Sequence, residues 1–444
     1  MSRLTIKNLL FFCLSCCVFQ GFSQDTTLKK LPPTWDLASC LQYAKTNNIQ
    51  IRSLQLNKQS AEQDKLLAKA ALLPDLYGSA SQNFNHYNQT ASGSSNVLNS
   101  SGSVGLSSSW TLYKGGYLKT DIKQKDLAIQ SSNLSILESE NDITLQITQA
   151  YLNILVDKES IIYNQDLVKT SEAQLAQAQR QFNVGAAARK VVVQFEAQLA
   201  GDKYNLIASE NAERKDKITL KQLLQLTDQQ NFDVVKPDTA LSTVNITDLK
   251  TVQQYALQNR PEIKNAELGI QSADLSLAKA KSGYLPSLTL GAGIGTNYAN
   301  DPNYNVFRQF NNNFNQQVGV TLSVPIFTNR QNKTNVAKAR IDIAQSKLTL
   351  ENTKTTLALN TESAYITAQN SQNQYLSAIE QLKYNQEVYR IANQELKIGA
   401  ANIVEFYQQR NLYVQAMQSY IQAKYNAALA ARIYEFYLGT PIKL

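Results

Sequence analysis

Residues 117–184 read YLKTDIKQKDLAIQSSNLSILESENDITLQITQAYLNILVDKESIIYNQDLVKTSEAQLAQAQRQFNV, a run of 68 residues that contains neither glycine nor proline. A second run of equal length, 331–398, is also free of both residues. Because glycine and proline are the residues that interrupt helices, each run predicts a single α-helix about 100 Å long. Two helices of this length dominate any fold that the chain can adopt.

The apolar residues of both runs recur at intervals of seven. A sevenfold spacing predicts left-handed coiled-coil packing against a neighbouring helix, and a shift of four residues within the first run is a stutter that locally unwinds the coil. The first stripe comprises Ile122, Ile129, Ile136, Ile143 and Ala150, the out-of-phase stripe comprises Ile147, Ile154, Ile161, Val168, Leu175 and Phe182, and in the second run Val336, Ile343, Leu350, Leu357 and Ala364 are followed by Tyr375, Leu382, Tyr389 and Leu396.

Each long run ends at a glycine, Gly185 or Gly399, which is a common stop for a helix. A further helical pattern then follows, over 188–226 in the first case and over 402–438 in the second. We therefore predict two antiparallel helical hairpins. A fibrous rod is the alternative interpretation of such long coiled-coil patterns, and the glycine-rich segments described below argue against it.

The chain also contains an internal repeat. Residues 36–76 reappear in diluted form at 248–288, with each match shifted by 212 positions, so that Leu73-Pro74 returns as Leu285-Pro286. Further along, the shift is 214, and Gly185-Ala186-Ala187 returns as Gly399-Ala400-Ala401. We predict a first repeat over 24–247 and a second over 248–444, each with a helix, a β-hairpin, a long helix and a return helix.

Glycine-rich windows supply the predicted β-hairpins, at 76–113 and 288–327. Their residues alternate between an apolar face and a face of small or polar residues, over strands of 9–11 residues, which is the pattern of a tilted strand that crosses a bilayer. In 104–113 the apolar face would hold Val104, Leu106, Ser108, Trp110 and Leu112, and the other face Gly105, Ser107, Ser109, Thr111 and Tyr113. The alternative is the edge of a soluble β-sandwich.

The segments that join these strands, 85–103 and 299–315, are rich in Asn, Ser and Gln and are predicted to be external loops. Aromatic residues near the strand ends are candidates for a girdle at the membrane interface, where rings with a polar edge are favoured. These residues are Trp110, Tyr113, Tyr117, Tyr284 and Phe327.

Two hairpins give four strands, which cannot close a membrane barrel, and an open edge in lipid would leave backbone N–H and C=O groups unpaired. Eight strands would fill their own interior, whereas twelve strands from three chains leave a lumen. The strand count thus predicts a homotrimer. The expected fold class is mainly α with a β-barrel contribution: helical hairpins in two repeats and four transmembrane strands per chain.

The N-terminus has the pattern of a secretory signal over residues 1–23. Arg3 and Lys7 precede an apolar run, and cleavage is expected after Ser23. Lipidation at Cys16 or Cys17 is the alternative, although the residues before these cysteines do not fit it well. Cleavage would leave Cys40 as the only cysteine, without a disulfide partner.

Composition argues against several function classes. The net charge of +8 is spread along the chain without a dense basic run, so nucleic-acid binding is not expected. One histidine (His86, placed in an external loop) and Cys40 offer no metal-ligand spacing, and Met1 and Met417 are too few for a copper relay. Since no nucleophile and base are placed together, we expect no enzyme, no catalytic residue and no cofactor.

Taken in order, these features resemble the TolC family of outer-membrane efflux ducts over essentially the whole mature chain. The resemblance rests on the doubled helix–hairpin–helix unit and on short motifs at its junctions. These are Leu73-Pro74-Asp75-Leu76, Leu285-Pro286-Ser287-Leu288, Trp110-Thr111-Leu112-Tyr113-Lys114-Gly115-Gly116, Asn259-Arg260-Pro261-Glu262-Ile263, Val184-Gly185 and Ile398-Gly399.

The resemblance implies a trimer with a 12-stranded barrel in the outer membrane and a 12-helix tunnel in the periplasm. It also implies a periplasmic membrane-fusion adaptor that docks at the helix–helix turns and an inner-membrane transporter that supplies energy. The adaptor-docking tip would comprise Val184, Gly185, Ala186, Ile398, Gly399 and Ala400. Six similar tips per trimer would explain why the unit is repeated.

Ducts of this family often carry two carboxylates three residues apart after the second tip, which form acidic rings that narrow the pore. Here Glu405 fits the first position and Gln408 replaces the second, while Arg189 and Lys190 follow the first tip. We expect these four residues to form the periplasmic gate, with Arg189 or Lys190 of one hairpin paired to Glu405 of another.

The predicted function is passive export through the outer membrane as the exit duct of a tripartite efflux pump or a type I secretion system. The alternative is a structural or adhesive surface protein that uses its helices as a stalk. A simple diffusion porin disagrees with the strand count and with the long helices.

Overall fold

The computed structural model describes residues 32–87, 97–226, 232–236, 246–299, 305–400 and 402–442. The predicted signal peptide over 1–23, with Cys16 and Cys17, lies outside the described residues. Within the described part of the chain, no helix combines the length and the apolarity needed to cross a membrane.

The order of elements in the first half is a short strand, two helices, a β-hairpin and two long helices. The elements are β1 (Thr34–Trp35), α1 (Leu37–Asn47), α2 (Ile49–Ala70), β2 (Tyr77–Tyr87), β3 (Val97–Lys114), α3 (Tyr117–Asn183) and α4 (Arg189–Leu224).

The second half repeats this order and adds one short helix between its two longer strands. Its elements are β4 (Asp233–Val234), α5 (Leu249–Asn259), α6 (Pro261–Ser282), β5 (Ser287–Ala299), α7 (Val306–Asn312), β6 (Asn315–Ser323), α8 (Gln331–Lys397) and α9 (Ile403–Phe436). Helices α3 and α8 each have 67 residues and are therefore about 100 Å long.

Equivalent turns lead from strand to long helix in the two halves. Gly115 and Gly116 adopt φ angles of 58° and 80°, and a Cβ at Gly115 would lie 2.7 Å from the carbonyl oxygen of Ser282. At the positions shifted by 214, Asn329 and Arg330 adopt φ angles of 45° and 65°. The left-handed turn is thus present in both halves, although only the first half uses glycine for it.

The four long strands form one antiparallel sheet in the order β2-β3-β5-β6. Its two outer strands, β2 and β6, each have an edge without a partner strand in the described chain. The register aligns Leu106 with Ile294 and Trp110 with Leu290, so apolar side chains share one face. Serine, threonine and glycine occupy the opposite face.

A β-bulge between Thr111 and Tyr113 changes the predicted alternation. Tyr113 pairs with Leu288, one position beyond the Thr111–Thr289 pair, so Tyr113 lies on the same face as Trp110. The prediction that Tyr113 belongs to the polar face was therefore wrong. A bulge inserts one residue, and one inserted residue moves every following side chain to the other face.

The strands also extend further than predicted at their outer end. β2 continues to Tyr87 and β3 begins at Val97, so His86 lies in a strand and not in the predicted external loop. The segment predicted as a loop over 299–315 contains helix α7. Conversely, β6 ends at Ser323, so the β-hairpin predicted over 288–327 is four residues too long at its end.

The largest apolar core lies midway along the helices, around the short parallel pair β1–β4. The stutter residues Ile143 and Ile147 are buried there together with Trp35 and Cys40. Burial raises the pKa of the Cys40 thiol to about 12, so this free cysteine is an unreactive core residue.

Candidate functional site

Both helical hairpins end in the same backbone structure. Ala186 N–H donates to Gln181 O at 2.8 Å and Gly185 N–H to Phe182 O at 2.9 Å; at the second tip Ala400 and Gly399 make the equivalent bonds at 2.9 and 3.2 Å. These are the paired hydrogen bonds of a Schellman motif, which requires a left-handed residue. Gly185 and Gly399 supply it, with φ angles of 75° and 73°.

The tips present apolar side chains to solvent. Val184 is 79% exposed and Ile398 is 80% exposed, and no atom lies within 4 Å of a Cβ built on either glycine. Large exposed aliphatic residues beside open backbone are typical of a surface that another protein covers. The structure thus places three of the predicted docking residues at each hairpin end, and all six are exposed.

The two hairpins pack against each other just behind these turns. Phe195 of α4 contacts Phe406 and Tyr407 of α9, with ring centroids 6.3 and 5.7 Å apart, and Tyr389 of α8 contacts Phe406 at 5.8 Å. We call this group the tip cluster; its buried members are Ala178, Val192, Phe195, Ala392 and Phe406. The cluster packs the two hairpins against each other close to their tips.

The four predicted gate residues, Arg189, Lys190, Glu405 and Gln408, are all exposed. Within the chain, Arg189 lies over the ring of Phe182 and its Nη2 is 3.9 Å from Glu196 Oε1. Glu405 occupies the first turn of α9, where a carboxylate interacts favourably with the helix dipole. The pairing of Arg189 or Lys190 with Glu405 of another hairpin stays a prediction.

Sequence reasoning missed a buried ion pair that joins the two hairpins. Arg410 Nη2 of α9 lies 2.6 Å from Asp202 Oδ2 of α4, and both side chains are almost completely buried, at 2% and 3% exposure. Ser171 of α3 donates to the same carboxylate, and Gln198 donates to Asp202 Oδ1 at 3.0 Å. Three helices thus converge on one carboxylate.

Not every polar atom around this pair is satisfied. Arg410 Nε and the hydroxyls of Tyr163 and Tyr407 are buried and have no hydrogen-bond partner among the described residues. Burial raises the pKa of Tyr407 to about 12. Because unpaired buried polar atoms cost about 1–3 kcal/mol each, the network favours one arrangement of the hairpins more than it adds to stability.

The aromatic residues predicted at the membrane interface lie where the sheet meets the helices. Trp110 Nε1 donates to Leu72 O at 2.7 Å, and Tyr113, Tyr284 and Phe327 are exposed. Tyr117 begins α3 and contacts two cations, with Lys114 Nζ and Lys279 Nζ 4.9 and 4.8 Å from its ring centre. Their role as a girdle stays a prediction.

The sequence profile of the outer membrane efflux protein family matches residues 40–225 and 252–440. The chain belongs to the outer membrane efflux protein family. Its two matched segments are the two helix–hairpin–helix units, so one unit of the family profile fits each half of the chain.

Individual relatives agree with this assignment. An outer membrane protein TolC from Vibrio cholerae is 26% identical over 297 residues, which cover 66% of this chain and 65% of that protein. The chain therefore spans slightly less than two thirds of the length of such curated relatives.

Solved structures share the fold. A membrane protein from Pseudomonas aeruginosa superimposes with a TM-score of 0.77 at 17% identity, covering 91% of this chain and 93% of that chain. The MtrE outer membrane channel of Neisseria gonorrhoeae, solved in its open state, gives 0.75 at 18% identity, covering 91% and 88%. The chain has the fold of these structures, and its family places it in the outer membrane.

Proposed function

We propose that the chain forms, as a homotrimer, the exit duct of a tripartite efflux pump or a type I secretion system. Substrate would pass from the helical tunnel through the barrel without covalent change, so no catalytic group is needed. The observation that carries the proposal is the four-stranded sheet, which has an apolar face, a small polar face and two open edges.

Open edges support assembly with further copies. Backbone groups along β2 and β6 must be paired in lipid, and three sheets of four strands give the twelve strands that leave a lumen. The apolar face, with Val318, Val320 and Leu322 all more than 60% exposed, fits contact with lipid. The opposite face of Gly, Ser and Thr fits a wet lumen.

The long helices also carry apolar residues that no element of the described part of the chain covers. On α8, Ile341, Leu348, Leu359 and Ile366 are exposed, outside the stripe that includes the buried Leu357. Two apolar stripes on one helix support contact with two neighbours, one of which would be a second protomer.

The test is to purify the protein from outer membranes in mild detergent, measure its mass without boiling, and record its conductance in planar bilayers. A mass near three mature chains together with ion conductance supports the duct. A monomer that does not conduct would contradict it and would favour the stalk alternative.

The exposed tips are proposed to dock a periplasmic membrane-fusion adaptor linked to an inner-membrane transporter. A Val184→Asp substitution puts a charge on the docking surface without disturbing a buried contact. We expect it to abolish the resistance of the cells of origin to the compounds that the duct exports, while the amount of trimer stays unchanged. Val184→Ala, which keeps the site small and apolar, is the matched control and should retain resistance.

The gate is proposed to be held closed by Arg189 or Lys190 of one hairpin and Glu405 of another. Exposed pairs are worth about 0–1 kcal/mol, but a narrow pore desolvates and strengthens them. An Arg189→Glu/Lys190→Glu trimer should therefore conduct more than the native protein in planar bilayers. Equal conductance would rule this pairing out as the gate.

A further inference from the structure

Helix α7 lies between β5 and β6 at the end of the sheet that is furthest from the long helices. The pairing of β5 with β6 ends at Gly295–Asn315, so residues 296–299 of β5 extend beyond Asn315, the first residue of β6. Beyond that point, side chains of the α7 segment form hydrogen bonds with the backbone of β5 that a neighbouring strand would otherwise form. Gln309 Oε1 accepts from Ala299 N–H at 2.9 Å, and Asn313 Nδ2 donates to Asn297 O at 2.8 Å.

The face of the sheet that α7 covers follows from two further contacts. Thr296 Oγ1 donates to Phe310 O at 2.6 Å, and the ring of Tyr298 meets the ring of Phe310 edge to face at 5.5 Å. Thr296 pairs with Val104. Because side chains alternate along a strand, residues 294, 296 and 298 all lie on one face. This is the apolar face of Val104, Leu106 and Ile294. Helix α7 therefore lies on the lipid side of the sheet and not over the lumen.

The remaining surface of the α7 segment combines exposed apolar side chains with exposed polar ones, among them Asn305, Asn311 and Asn312. Phe307 is 85% exposed, Phe314 is 53% exposed and Val306 is 40% exposed. The segment 305–317 contains no acidic residue, and its one charge is the cationic Arg308. Exposed aromatic rings at the end of a lipid-facing sheet, with no carboxylate in the same segment, match the chemistry of a membrane interface.

We propose that α7 and Phe314 form an interfacial anchor, with Phe307 and Phe314 inserted among the lipids at the outer surface of the membrane. The anchor continues the apolar face of the barrel outward and is separate from the predicted girdle of Trp110 and Tyr113 at the helix-proximal end of the strands.

The test uses Phe307→Cys in the full chain, labelled with a small environment-sensitive fluorophore and reconstituted into phosphatidylcholine vesicles. Wild-type protein treated in parallel gives the background, because its buried Cys40 should not react. Quenching by a phospholipid with a nitroxide near its headgroup is compared with quenching by aqueous iodide. Gln317→Cys, on the polar face opposite Gly293, is the matched control.

The anchor predicts that the probe at 307 loses more fluorescence to the nitroxide lipid than to iodide, with the reverse order at 317. If iodide quenches 307 as strongly as it quenches 317, α7 lies in water or over the channel mouth, and the proposal is overturned. Phe314→Cys gives an independent reading of the same surface should the 307 variant assemble poorly.

Discussion

Left-handed backbone at single residues decides where this chain reverses direction. Gly185 and Gly399 end the long helices, and Gly115 and Gly116 turn the first hairpin into α3. In the second half, Asn329 and Arg330 adopt the same left-handed conformation. The geometry of the turn is thus kept in the second half, although its residues carry side chains that make it less favourable.

Gly185 and Gly201 allow the effect of a positive φ to be measured separately from the effect of steric crowding around a Cβ. No atom lies within 4 Å of a Cβ at either Gly185 or Gly201, but only Gly185 has a positive φ. We expect Gly185→Ala to lower the free energy of unfolding by about 1–2 kcal/mol, because an L-residue is strained there. Gly201→Ala, inside helix α4, should instead raise it by about 0.5–1 kcal/mol. Chemical unfolding in detergent measures both, and changes of the same sign would contradict the argument.

At the scale of elements, the two helical hairpins are joined by an apolar contact and by a buried ion pair. The tip cluster is aromatic, whereas the next layer is the buried pair of Asp202 and Arg410. Both charges occupy core positions of a heptad: Asp202 follows Val192, Phe195 and Leu199, and Arg410 follows Ile403 and Phe406. A charge at a core position commonly fixes the register and the partner of a coiled coil at a cost in stability.

A double-mutant cycle tests this interpretation of the buried pair. Arg410→Met alone leaves the Asp202 carboxylate buried without its cation and should cost about 3–5 kcal/mol. Adding Asp202→Asn removes the charge and keeps acceptor and donor groups for Ser171 and Gln198, so most of that loss should be recovered. The cycle is measured by chemical unfolding in detergent. Additive losses would show that the two side chains are not energetically coupled.

At the scale of the whole molecule, the two faces of the sheet have to meet different solvents. Val320 and Thr321 are neighbours in β6 and point to opposite faces, with Val320 opposite Leu290 and Thr321 opposite Thr289. The apolar face belongs in lipid and the other in a wet lumen. The orientation of the sheet in the barrel thus follows from the chemistry of its two surfaces.

Arginine scanning at these two positions checks that orientation. Val320→Arg should cost about 2–4 kcal/mol in the bilayer and should sharply reduce the amount of unboiled trimer in the outer membrane. Thr321→Arg carries the same charge into the lumen and should leave the trimer in place while it alters ion selectivity. Equal loss of trimer for both variants would mean that the assignment of the faces is wrong.

Much of the architecture was predictable from sequence because its signals are local. The four long helices begin and end within two residues of the predicted bounds, since glycine, proline and apolar spacing act over a few residues. The tip residues follow from the same signals, because Val184 and Ile398 directly precede the glycines that end the helices. The family profile matches one segment in each half of the chain, at 40–225 and 252–440.

The sequence by itself therefore determined the helical hairpins, the alternation of the strands and the composition of the tips. Only the tertiary structure decided the bulge that moves Tyr113 to the apolar face, the pairing of Asp202 with a cation 208 residues away, and the placement of α7 against β5. The physical reason is range: helix termination and face alternation depend on near neighbours, whereas register, buried charge pairs and loop docking depend on residues that only folding brings together.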